Sequence, residues 1–182
     1  MSYKRWIFVA ISLFGIGLVF GLVTPADIAN LLSENVAALE KFSSVLVPFN
    51  FLTAILIFAK NASALVISFI LSPIFCLVPI LALTANGWLL SFISVSVVQE
   101  KSLGFLLAGL LPHGIFELPA LILGEAAALS FGTIAVLALF KRERGNLVFS
   151  ALKQNLRYLV LAVALLLPAA IIETYFTPLL LT

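Results

Sequence analysis

The sequence predicts an all-α, polytopic transmembrane helical protein forming a single domain over residues 1–182, with about five crossings and broken or re-entrant helices. Three observations predict it. Hydrophobic residues make up 63% of the chain and charged residues 10%, with a mean hydropathy of +1.25, too little polar surface to coat a water-soluble globule of this length. Apolar runs long enough to cross a hydrocarbon core recur from one end of the chain to the other. The basic residues sit at the ends of those runs instead of gathering in one patch, and a net charge of +2 gives no argument for nucleic acid as a partner. The expected solvent is the lipid bilayer. Cys76, the single cysteine, allows no intrachain disulfide and reads as a small buried hydrophobe.

The first apolar run, residues 6–23, follows Lys4 and Arg5 and reads as a retained signal-anchor helix, since no small-residue cleavage site closes it. Thr24, Pro25, Ala26 and Asp27 then form a helix-start signal. Apolar residues at helical spacing, alternating with Asn30, Ser33, Glu34, Asn35 and Glu40, predict an amphipathic helix over residues 26–41 on the outer membrane face. A second span is expected over 42–59, stopped by Lys60 and Asn61, and a third over 62–83. Residues 84–87, ending in Asn86 and Gly87, carry a turn signal because both residues tolerate positive φ. A shorter run over 88–98 ends at Gln99, Glu100 and Lys101. The next segment, 102–140, is apolar for much longer than one crossing requires. Lys141, Arg142, Glu143 and Arg144 form the strongest charge cluster, and a linker with Lys153 and Arg157 leads to a last span over 159–175. Trp6 and Tyr175 fit interfacial anchors.

Lysine and arginine retained on the cytoplasmic side put the N-terminus inside and the C-terminus outside a cell membrane. Lys4, Arg5, Lys60, Lys101, Lys141, Arg142, Arg144, Lys153 and Arg157 are then inside, and Lys41 alone is outside. That assignment requires 102–140 to leave and return on one side, as a broken or re-entrant hairpin. Pro112 and Pro119 supply the break, because proline removes a backbone donor and disfavours helix in the residue before it.

The apex of this hairpin carries the chain's only histidine, His113, four residues before Glu117, so the two side chains share a helix face. Glu125 lies eight residues further on and is a possible third member; Glu173 is expected nearer the outer face. Each charge buried at a helix centre costs roughly 2.5–3.5 kcal/mol, so these groups must be protonated, paired or bound to a cation. Three readings follow. The carboxyls can serve structure alone, bonding carbonyls that the prolines free, with His113 capping a half-helix. His113, Glu117 and Glu125 can bind a divalent metal such as zinc, although the second histidine of a zincin-like His-Glu-x-x-His is absent. They can also relay protons or ions. No activated nucleophile and no glycine-rich phosphate loop is present, which leans against an enzyme.

The run Pro112-His113-Gly114-Ile115-Phe116-Glu117-Leu118-Pro119-Ala120 resembles the hallmark of the stage II sporulation protein M family of integral membrane proteins. Asn61 after a basic residue, Asn86 with Gly87, and the stretch from Ile172 through Glu173 to Pro178 resemble that family's remaining motifs in the same order, over residues 52–178. The resemblance implies a polytopic membrane protein. In endospore formers the family member is a scaffold that anchors a wall-degrading complex without degrading the wall itself. Glu125 departs from the pattern, since relatives more often carry small apolar residues there. The expected function is a non-enzymatic scaffold or permease-like subunit with an intramembrane His/Glu site, working with membrane or wall-associated partners. The alternative is a metal- or proton-binding transporter or metal-dependent membrane enzyme using His113, Glu117 and Glu125. Gly104, Ala108, Gly109, Gly124, Ala126, Ala127, Ala128 and Gly132 favour close helix packing, within the chain or in a homodimer.

Overall fold

A computed structural model describes residues 3–24, 47–140 and 145–181. The predicted amphipathic helix 26–41 and the charge cluster 141–144 lie outside the described residues. Among the described residues, five helices are long and apolar enough to cross a membrane: α1 (Tyr3–Leu22), α2 (Phe51–Leu71), α3 (Leu77–Glu100), α4 (Leu103–Phe140) and α5 (Gly145–Tyr175). A single turn, α6 (Thr177–Leu180), follows. The all-α, multi-pass class is the one the composition predicts.

The helix boundaries correct the sequence reading in five places. Lys60 and Asn61 do not end a span; they lie in the middle of α2, because neither residue breaks a helix and Asn61 finds a partner on another helix. Residues 84–87 are not a turn but part of α3. The Asn86 amide donates back to Ala82 O at 2.7 Å and the Thr84 hydroxyl to Ile80 O at 2.9 Å, so the helix satisfies its own polar residues. Segment 102–140 is not a hairpin but one 38-residue helix running through both Pro112 and Pro119. Each proline removes one backbone hydrogen bond, whereas a reversal inside lipid would leave the groups of two helix ends unsatisfied. The chain breaks instead at residues 72–76, where Pro73 lacks a donor and Phe75 and Cys76 take left-handed φ of 50° and 56°. The last helix, α5, begins at Gly145 and absorbs the predicted linker.

Two parallel pairs organise the bundle. Gly17 of α1 lies against Thr84 of α3, and Gly21 against Trp88 and Ser91, so those helices run in the same direction. Asn61, Ser68 and Ser72 of α2 meet Glu117, Glu125 and Gly132 of α4 in the same order. The antiparallel α4–α5 interface is the most extensive. One apolar cluster joins α2, α4 and α5 through Leu65, Phe69, Ala127, Leu159 and Leu166. A second joins α1, α3 and α4 through Ala10, Leu83, Ala126 and Leu129, with Cys76 buried beside them. Tyr3 ties the start of α1 to both halves, donating to Leu123 O at 2.8 Å and stacking on Tyr158 at 3.5 Å.

Small residues set the close approaches. Gly124, Ala126, Ala127, Ala128 and Gly132 are buried inside the chain, so this stripe is used for internal packing; Gly104 is exposed. The register also places Lys101, after α3, at the same end as the C-terminus of α1 and opposite Lys4. This corrects the assignment of both lysines to one side.

A Cβ at Gly17 would collide with the Thr84 carbonyl, whereas one at Gly15 would meet nothing. Gly17→Ala is therefore expected to destabilise the protein by about 1–3 kcal/mol through overpacking, while Gly15→Ala is neutral or slightly stabilising. Melting curves in detergent check this, and equal melts for the two variants would contradict the α1–α3 packing.

Candidate functional site

The polar residues of the central helices meet where α2, α4 and the end of α5 come together. On α2, Asn61 sits ten residues after Phe51, about 15 Å along the axis, with its side chain turned toward α4. Its Nδ2 donates to Glu117 Oε1 at 2.9 Å. The other carboxylate oxygen, Oε2, faces His113 Nε2 at 3.8 Å, the i,i+4 pairing expected from the sequence. That gap is too long for a hydrogen bond. Two ligands of one tetrahedral ion, each about 2.0–2.2 Å from it, stand roughly 3.3–3.5 Å apart, close to the spacing observed.

Glu173, in the last turn of α5, completes the group: one ligand atom each from His113, Glu117 and Glu173 lie within 4.8 Å of one another. The end of α5 is held there by Phe49 N, which donates to Thr174 O at 3.2 Å. Past the helix end, Thr177 Oγ1 faces His113 Nδ1 at 3.4 Å and occupies that side of the imidazole, leaving Nε2 toward the carboxylates. Lys60 adds a positive charge that interacts with Glu173. The His113 side chain is 13% exposed and Glu117 34%, so the site opens on its Glu117 side.

Glu125 does not join this group. It is 1% exposed and its Oε2 accepts from Ser68 Oγ at 2.5 Å. It shares with Glu117 a cavity whose walls also include Asn61 and Asn86. Of the three residues read from the sequence as candidate ligands, His113 and Glu117 lie together and Glu125 lies apart, while Glu173 stands beside the pair because the antiparallel α5 returns its last turn to the level of His113. The sequence reading overlooked Ser68. Its signal is the stripe Asn61, Ser68, Ser72, which repeats at helical spacing along one face of α2.

All the singled-out polar residues therefore surround one region: Asn61 on Glu117, Glu173 beside His113 and Glu117, and Asn86 across the cavity. The family model for stage II sporulation protein M matches residues 10–178. The chain belongs to that family. It is also similar to the uncharacterized protein MJ0793 of Methanocaldococcus jannaschii, 28% identical over 174 residues, covering 94% of this chain and 93% of that one. No solved structure matches it. The region matched by the family model includes every residue of the cluster.

If Asn61 and Glu117 hold each other as described, a double-mutant cycle of Asn61→Ala and Glu117→Ala, read by thermal melts in detergent, gives a coupling of about 0.5–3 kcal/mol. Strictly additive losses would contradict the bond.

Proposed function

We propose that this chain is a cation-binding, permease-like protein of the cell membrane, with His113, Glu117 and Glu173 binding one first-row divalent ion such as zinc. The observation that carries this reading is the arrival of Glu173, from a separate helix, at a histidine–carboxylate pair whose spacing suits two ligands of one ion. One imidazole and two carboxylates make a borderline donor set, suited to zinc or manganese more than to calcium or magnesium. Three protein ligands and an open side leave room for water or for exchange of the ion. Asn61 and Thr177 fix the orientation of Glu117 and His113, as outer-shell partners do in metal sites.

Charge supports an inside N-terminus. Lys4 and Arg5 precede most of α1, and at the same end of the bundle α4 stops at Phe140 and α5 starts at Gly145, with Lys141, Arg142 and Arg144 between them in sequence. Lys101, after α3, falls at the other end. By the positive-inside rule the first end is cytoplasmic, the C-terminus is outside, and the end of α5 that carries Glu173 belongs to the outer half. An ion site placed within helices, far from the basic end, suits uptake or exchange better than anchoring alone.

Metal analysis of purified, tag-free protein tests the proposal. The wild type is expected to take up one zinc or manganese ion per chain, and His113→Ala, Glu117→Gln and Glu173→Gln each to lower affinity by about tenfold or more. Glu125→Gln is expected to keep it. Equal metal uptake by the wild type and the triple variant would sink the proposal.

A further inference from the structure

A cavity of about 240 Å³ lies at the centre of the bundle, and all five long helices contribute to its wall. Most of that wall is leucine and alanine with Phe14 of α1. Its polar atoms come from two carboxylates, Glu117 and Glu125, and two carboxamides, Asn61 and Asn86; no lysine, arginine or histidine is among the lining residues. Such a wall offers an apolar body a surface to rest on and a cation a counter-ion, and it offers an anion nothing.

Glu125 is the group that the metal site leaves unused. Ser68 occupies its Oε2. Its Oε1 has no hydrogen-bond partner among the described residues. Glu125 is one of the residues that line the cavity. A lone carboxylate oxygen with no second carboxylate or imidazole beside it is too poor a donor set for a divalent ion. An ammonium group, with several N–H donors, suits it and can bond a carboxamide oxygen as well.

Size limits the ligand. The volume lies below the roughly 300–1,000 Å³ of sites for drug-sized molecules, but above the roughly 150 Å³ that an apolar cavity needs to hold benzene. We propose that this cavity is a binding site for a small organic amine, its ammonium group on Glu125 and its apolar body against Phe14 and Leu121. The site is separate from the His113–Glu117–Glu173 cluster, although Glu117 stands in the wall between them.

The test uses the full chain in detergent with phenethylamine, protonated at neutral pH, and 2-phenylethanol, its neutral counterpart of the same shape, followed by ligand-observed NMR. The amine is expected to bind about tenfold or more tightly than the alcohol, from the charge pair. Glu125→Gln is expected to abolish that preference, and Glu125→Asp to restore part of it. A Leu121→Trp variant, which fills the cavity, is expected to lose both ligands. The melting temperature of each variant shows that it is folded, and zinc binding retained by Glu125→Gln separates this site from the metal site. The proposal is overturned if neither ligand binds, if amine and alcohol bind the wild type equally, or if folded Glu125→Gln keeps the preference for the amine.

Discussion

Every other described helix packs against α4, so the continuity of this 38-residue helix through two prolines is the constraint on which the rest depends. At about 57 Å it is well beyond the roughly 30 Å of a hydrocarbon core, so it crosses at a tilt or projects past it. Had the chain reversed at Pro112, α5 would have no antiparallel partner of matching length, and Glu173 would not return to the level of His113. Lipid enforces the choice. With no water to take up freed backbone groups, two missing hydrogen bonds cost less than the several unsatisfied groups of two exposed helix ends.

The same solvent explains where the polar side chains go. Asn61, Ser68, Glu117 and Glu125 do not end helices; they pair across the α2–α4 interface, Asn61 with Glu117 and Ser68 with Glu125. These pairs fix the parallel register of α2 on α4, and Gly124 and Gly132 let the helices approach closely enough to make them. A polar seam is thereby built into an apolar bundle. It opens at one end on His113 and Glu173 and at the middle on a cavity. Structure and candidate chemistry rest on the same residues.

Much of this was legible in the sequence. Composition alone indicates a multi-pass helical protein, because nothing else can surround so much apolar surface with so few charges. The i,i+4 spacing of His113 and Glu117 indicates a pair, and the motifs containing Asn61, Asn86 and Glu173 mark positions that come together. Helix boundaries were less legible. In water, Lys60 with Asn61, or Asn86 with Gly87, would signal a stop; inside a bundle Asn61 has a partner on another helix, Asn86 bonds its own helix, and Gly87 marks the crossing of α1. The true reversal at residues 72–76 lies in an apolar run with only Pro73 to announce it. The exchange of Glu125 for Glu173 in the cluster has the same origin. Sequence spacing reports neighbours on one helix, whereas Glu173 arrives from a helix that begins beyond the end of α4.

The central claim is that this packing gathers His113, Glu117 and Glu173 into one ion site. X-ray absorption spectroscopy at the zinc edge of tag-free, zinc-loaded protein tests it most directly, because any imidazole scattering must come from the single histidine. The account predicts a first shell of nitrogen and oxygen at about 2.0–2.2 Å with one imidazole, its signature lost in His113→Ala and one oxygen lost in Glu173→Gln. A zinc shell without imidazole, or one unchanged by Glu173→Gln, would contradict it.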